Sequence, residues 1–218
     1  MKKLPHLLTA MLVSPLFGQT LYEEQNFQSI EHNTMSPDGW VSVSGVEVRA
    51  FGPETSEDFG GNDRALIGKQ FKDWVAVRNL GVKLQPRSVY QLDLHGGLYV
   101  SSDGASSTLE WELGVLQGGN FVALSEAART ELHNSGETSY FFGKGKKQAL
   151  KPFILKTDAA PAKGTLAIRL KVRENGERPG WAGFDNIQVA QKEGMRKQQE
   201  SSALISLGGS MSIVLRDR

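Results

Sequence analysis

The chain holds 218 residues, with 25 basic and 24 acidic side chains, 24 glycines and no cysteine. Without cysteine it has no disulfide, no thiolate metal site and no thiol nucleophile. Seven of the basic and three of the acidic residues fall in the two ends, so the stretch 19–190 carries 18 basic against 21 acidic residues, which is no electrostatic footprint for nucleic acid.

Residues 1–18 read as a signal peptide. Lys2 and Lys3 precede an apolar run from Leu7 to Phe17, the charge-then-apolar order that export requires. The run is too short to span a bilayer, and cleavage is expected after Gly18. Residues 19–190 then form one domain, long enough to bury a core without staples.

Within that domain, period-two alternation predicts strands with one face in a core and one in water. Val41–Phe51 and Trp74–Leu80 come first. Tyr90, Leu92 and Leu94 alternate with polar neighbours, as do Leu109, Trp111, Leu113 and Val115. Phe121–Leu124 and Phe153–Lys156 are shorter candidates, with a helical turn or two expected over Leu124–His133. Leu166, Ile168, Leu170 and Val172 give another clear strand, and Phe184–Val189 the last. Turn residues separate them, as in Pro37-Asp38-Gly39 and Gln117-Gly118-Gly119-Asn120. About eight short strands with almost no helix predict an all-β, antiparallel β-sandwich of jelly-roll type. Two strands change parity midway, one at Ser44-Gly45 and the other at Asp185-Asn186, which a β-bulge would produce.

Residues 191–200 are polar and aperiodic and read as a linker. Residues 201–218 are an apolar tail closed by Arg216, Asp217 and Arg218. Its uncharged part, Ala203 to Leu215, would reach about 20 Å as a helix, short of a bilayer core. Membrane contact is expected through this tail alone.

The tail resembles the PEP-CTERM sorting signal of Gram-negative bacteria: Ser201-Ser202-Ala203-Leu204, Leu207-Gly208-Gly209 and the closing arginines follow its order of parts, while Gln199-Glu200-Ser201 stands where Pro-Glu-Pro is expected. The resemblance implies export and processing near Glu200 by an exosortase-type sorting enzyme, in an organism that makes exopolysaccharide. Periplasm, outer surface and extracellular matrix are the compartments it allows.

The domain resembles the galactose-binding-like β-sandwiches, which include many carbohydrate-binding modules. Asn26-Phe27-Gln28 followed by Gly39-Trp40, then Leu84, Pro86, Tyr90 and Leu92, then Phe184-Asp185-Asn186-Ile187-Gln188-Val189 carry the resemblance. It implies a structural calcium held by Asp185 together with Glu24, Asn26 and Gln28, since calcium takes six to eight oxygens. The plainer expectation for Asp185 and Asn186 is an Asx-type turn or a hydrogen-bonded corner.

Sugar recognition uses a flat aromatic face with polar groups beside it. Trp181, in the loop Arg178-Pro179-Gly180-Trp181, and Trp40, after a turn, are the candidate ligand-binding aromatics, with Arg178 beside the former. Core or edge packing is the competing expectation for both; Trp111 belongs to a core. The Gly143–Lys147 run reads as a solvated loop.

Catalytic signals are sparse. The histidines lack metal-ligand spacing, and neither a Gly-x-Ser-x-Gly elbow nor a P-loop is present. Glu110 and Glu112, about 7 Å apart on one strand face, leave a glycoside hydrolase as a remote alternative. The expected function is therefore non-catalytic binding of carbohydrate, such as extracellular polysaccharide. The alternative is a structural surface or matrix protein that recognises no sugar.

Overall fold

The computed structural model describes residues 18–24, 27, 30–31, 33–51, 64–69, 72–98, 100–101, 105–133, 139–140, 148–175 and 182–192. The leader up to residue 17, residues 193–200 of the expected linker and the tail lie outside the described residues, as do Asn26, Gln28, Arg178, Trp181 and the Gly143–Lys147 run, while Gln191 and Lys192 continue the last strand. In chain order the strands are β1 (Gln19–Glu24), β2 (Val41–Ser42), β3 (Val48–Phe51), β4 (Ala65–Gly68), β5 (Trp74–Lys83), β6 (Val89–Leu98), β7 (Val100–Ser101) and β8 (Ser106–Gln117). They continue as β9 (Asn120–Ala123), β10 (Ala128–His133), β11 (Ser139–Tyr140), β12 (Gln148–Ala149), β13 (Phe153–Lys156), β14 (Thr165–Asn175) and β15 (Ala182–Lys192).

These build the predicted antiparallel sandwich. One sheet runs β3–β4–β15–β6, with β1 also on β15, and β12 and β13 on β6. The second runs β2–β5–β14–β8, with β9 and β10 following one another along the free edge of β8. Strands β7 and β11 form a small separate ribbon. Among the described residues no helix is long and apolar enough to cross a membrane.

The alternating runs meet as their period requires. Leu166, Ile168, Leu170 and Val172 lie in register with Val115, Leu113, Trp111 and Leu109, and all of them are buried. Tyr90, Leu92 and Leu94 supply the facing layer from β6. Trp74 of the second sheet meets Phe184 of the first edge to face, with ring centroids 5.9 Å apart at 87°. Each large side chain so buried is worth about 1.5–3 kcal/mol.

Three expectations need correction. Residues 41–51 are not one bulged strand: β2 pairs with β5 in the second sheet, whereas β3 pairs with β4 in the first. The parity change at Ser44-Gly45 marks a crossing between sheets, and Gly45 takes φ +80° there. Val41 and Val43 consequently face solvent, at 57% and 60% exposure. The helical turn expected over residues 124–133 is strand β10 from Ala128 onward, since β8 offers an edge that only an extended segment can pair with. Strand number exceeds about eight because several sheet edges are covered by two short strands in succession, as at β12 and β13, separated by Pro152, which cannot donate to a ladder.

The second parity change is a bulge, as predicted. Register against β6 shifts between Asp185 and Gln188, and Asn186 takes φ +48°. The Asp185 carboxylate accepts the N–H of the next residue, Asn186, at 2.7 Å, which makes a hydrogen-bonded corner and not an Asx turn, whose bond spans two residues.

Candidate functional site

Pairing register brings charged residues together on the outer face of the second sheet. Directly paired residues share a face, so each cross-strand row can be followed from edge to edge. One row runs Arg129, Glu110, Lys171, Val75. The next runs Glu112, Arg169, Val77, Val41. On the other side of the first row, Glu131, Thr108 and Arg173 line up.

Within these rows the charges pair. Arg169 donates to Glu112 Oε1 from Nε at 2.8 Å and from Nη2 as well. Glu110 accepts from Lys171 Nζ at 3.3 Å and forms an ion pair with Arg173, whose Nε lies 2.9 Å from it. Phe121 of β9 crosses the same face. A side chain at Gly114 would meet the Phe121 ring at 2.5 Å and the Val122 carbonyl oxygen at 2.4 Å, so only glycine lets β9 lie this close. The Arg169 guanidinium stacks over the ring, 4.5 Å from its centroid.

Glu112 is the most constrained member. Its side chain is 4% exposed although it belongs to an outer face, and Oε2 has no hydrogen-bond partner among the described residues. Desolvation holds its carboxyl above the usual carboxylate range, Arg169 pulls the other way, and the Glu110 charge adds to the rise. Glu110 and Glu112 do share a strand face, as expected. Arg169 and Phe121 nevertheless sequester Glu112, which is poor geometry for a general acid that must reach a glycosidic oxygen.

Trp40 is not where a ligand-binding aromatic should be. It is fully buried in the core, and its Nε1 donates to Tyr22 Oη at 3.3 Å. The 3-10 turn Pro37–Gly39 directs it inward, with the Trp40 N–H donating to the Pro37 carbonyl. Tyr22 in turn donates to Asp38 Oδ2 at 2.7 Å, and Arg78 lies 3.3 Å from the same carboxylate and 4.8 Å over the Tyr22 ring. A polar cluster therefore closes one margin of the sandwich, and burial with the Asp38 bond pushes the Tyr22 hydroxyl far up.

Of the four expected calcium ligands, Glu24 and Asp185 are among the described residues, and they face different ways. Glu24 pairs with Ile187, a core residue, so it points between the sheets. Desolvation and the Asp38 charge raise its carboxyl there. Asp185 pairs instead with His95, on the face opposite Leu94 and Ile187, where the Asn186 amide lies 2.8 Å from His95 Nδ1. The intervening bulge changes the parity, and sequence spacing does not reveal which side each carboxylate takes. Glu24 and Asp185 do not fit a shared ion, and among the described residues no three His, Asp or Glu side chains gather to hold a metal.

The reading of the sequence missed Phe121, Arg129, Arg169, Lys171 and Arg173. The available signal was the basic alternation at 169, 171 and 173 beside the acidic one at 110 and 112. Nothing local says that the two runs are neighbours.

No family model matches the chain, and no curated protein matches it. Solved structures do. The CBM22-1 xylan-binding domain of Xyn10C from Paenibacillus barcinonensis aligns at TM-score 0.50 and 14% identity, covering 83% of this chain and 99% of that one. The chain shares the β-sandwich fold of that domain. The CBM22-1–CBM22-2 tandem of the same protein aligns at TM-score 0.51 and 13% identity, over 83% of this chain and 47% of the tandem; the chain thus spans about half of that two-module structure. A cyclase from Fischerella sp. TAU aligns at TM-score 0.49 and 15% identity, over 75% of this chain and 90% of that one. At these identities the likeness is one of fold.

Proposed function

We propose that this protein is a non-catalytic carbohydrate-binding module that takes polysaccharide on the outer face of its second sheet. One observation carries the reading. On a sandwich shared with a xylan-binding domain, that face sets carboxylate, guanidinium and ammonium groups in register beside the Phe121 ring. Such groups bond sugar hydroxyls while an aromatic covers the sugar's C–H surface. Trp181 and Arg178, in the segment leading to β15, belong to the proposal as an additional stacking and hydrogen-bonding pair.

The test is titration of the folded full chain against a panel of soluble polysaccharides. Saturable binding is expected, weakened about tenfold or more by Trp181→Ala, the size of a lost aromatic anchor. A folded protein that binds no panel member would favour the structural surface protein, for which exposed Val41 and Val43 offer a small apolar contact.

Export belongs to the same proposal and is supported by the charged-then-apolar leader and the sorting-signal-like tail. Intact-mass analysis of the protein from its native host is expected to show loss of residues 1–18 and cleavage near Glu200. A full-length mass would end both ideas.

A further inference from the structure

We infer that the ligand of the second sheet's outer face is an acidic polysaccharide, whose carboxylate or sulfate groups are held by Arg129, Lys171 and Arg173. The inference rests on the carbohydrate-binding reading and adds the class of glycan to it.

Charge accounting on the face is the starting point. The domain as a whole is acidic, 18 basic against 21 acidic residues over 19–190, yet this face runs the other way. Arg169 and Glu112 form a closed pair, sequestered under Phe121. That leaves Glu110 with three cations around it. Arg129 is its direct partner across β10, Lys171 its direct partner across β14, and Arg173 reaches it from the adjacent row. Of the other carboxylates, Glu131 is turned toward Ser106, Asn175 and His133, and Asp73, next beyond Arg173, accepts the Glu174 N–H.

The three cations are not used up by Glu110. Arg173 meets it with Nε at 2.9 Å while its side chain stays 52% exposed, so the guanidinium is open to an outside acceptor. Lys171 sits at a long 3.3 Å. Arg129 is exposed and makes no ion pair among the described residues. Adjacent strands lie about 4.8 Å apart and rows about 7 Å apart, so the three cationic groups bracket one spot about the size of a single charged sugar substituent. Arginine's planar fork matches a carboxylate or sulfate bidentately. A neutral glycan presents hydroxyls alone and gains nothing from a surplus of positive charge.

The experiment measures affinity of the full chain for polygalacturonate, dextran sulfate, xylan, β-1,4-galactan and a single-stranded polynucleotide, at low and at high salt. At least one of the two acidic polysaccharides is expected to bind about tenfold or more tightly than either neutral one, with affinity falling as salt rises. Preference for polygalacturonate would assign the carboxylate, and preference for dextran sulfate the sulfate ester. Arg129→Gln and Arg173→Gln, both at exposed positions, are each expected to weaken that binding roughly tenfold, the scale of one charge-assisted hydrogen bond. Lys156→Gln, an exposed position on β13 of the other sheet, makes the same charge change and is expected to leave affinity within twofold. Equal affinity for neutral and acidic glycans, untouched by the two arginine variants, would overturn the inference and leave carbohydrate binding standing. Binding of no glycan at all would overturn both. A polynucleotide bound as tightly as the acidic glycan would overturn the inference in favour of unspecific attraction to polyanions.

Discussion

Trp40→Ala is expected to destabilise the protein by about 3–5 kcal/mol, the range for deleting a large aromatic side chain from a core. The indole is fully buried, so truncation leaves a cavity between the sheets that the neighbouring strands, held by their ladders, can only partly collapse. It also removes the donor to Tyr22 Oη, loosening a chain of bonds that continues through Asp38 to Arg78. Denaturant unfolding measures the loss. Because a loss of that size is comparable to the whole stability of a domain, Trp40→Phe is the functional companion. It keeps most of the buried surface, and it should bind polysaccharide as wild type does while Trp181→Ala does not. A well-folded Trp40→Phe that no longer binds would show that Trp40 reaches the ligand after all.

Arg169→Met is expected to cost about 2–3 kcal/mol at neutral pH. That lies at or just below the cost of breaking a fully buried ion pair, because the arginine side chain is 34% exposed whereas Glu112 is 4% exposed. The loss comes from Glu112, left buried without its cation. The same argument gives a pH dependence whose sign is definite. Glu112 already titrates above the usual carboxylate range in the folded protein, so the native state holds this proton more tightly than the unfolded chain. Stability from this group is therefore present in acid and is lost as pH rises through the folded pKa. Removing Arg169 raises that pKa further and widens the window. The deficit of Arg169→Met relative to wild type should accordingly be small in acid, where Glu112 is protonated in both, and full near neutrality. Thermal unfolding across pH reads it. Adding Glu112→Leu to Arg169→Met should recover most of the lost stability, since an apolar pair replaces an uncompensated charge. A deficit that ignores pH, or one that the double variant does not relieve, would show that burial of Glu112 is not its source.

Features that depend on near neighbours along the chain are legible in it without any structure. The inward sets of β6, β8 and β14 follow from a two-residue period, and the bulge at Asp185-Asn186 follows from a break in that period within a single strand. The sandwich class follows from their number and their turns. Tertiary structure decided everything that depends on which strand lies beside which. Two parity breaks look alike along the chain, yet one is a bulge and the other carries the backbone from one sheet to the other at Gly45. Trp40 and Trp181 look alike as tryptophans after turns; only packing against Tyr22 shows that Trp40 belongs inside. Glu24 and Asp185 read as partners until the register places them on opposite faces of one sheet. Glu110 and Glu112 meet their cations across sequence separations of about sixty residues. Side-chain alternation is encoded in each strand, whereas register is set by the whole set of long-range pairings, and the charged face of the second sheet exists only once those pairings have formed.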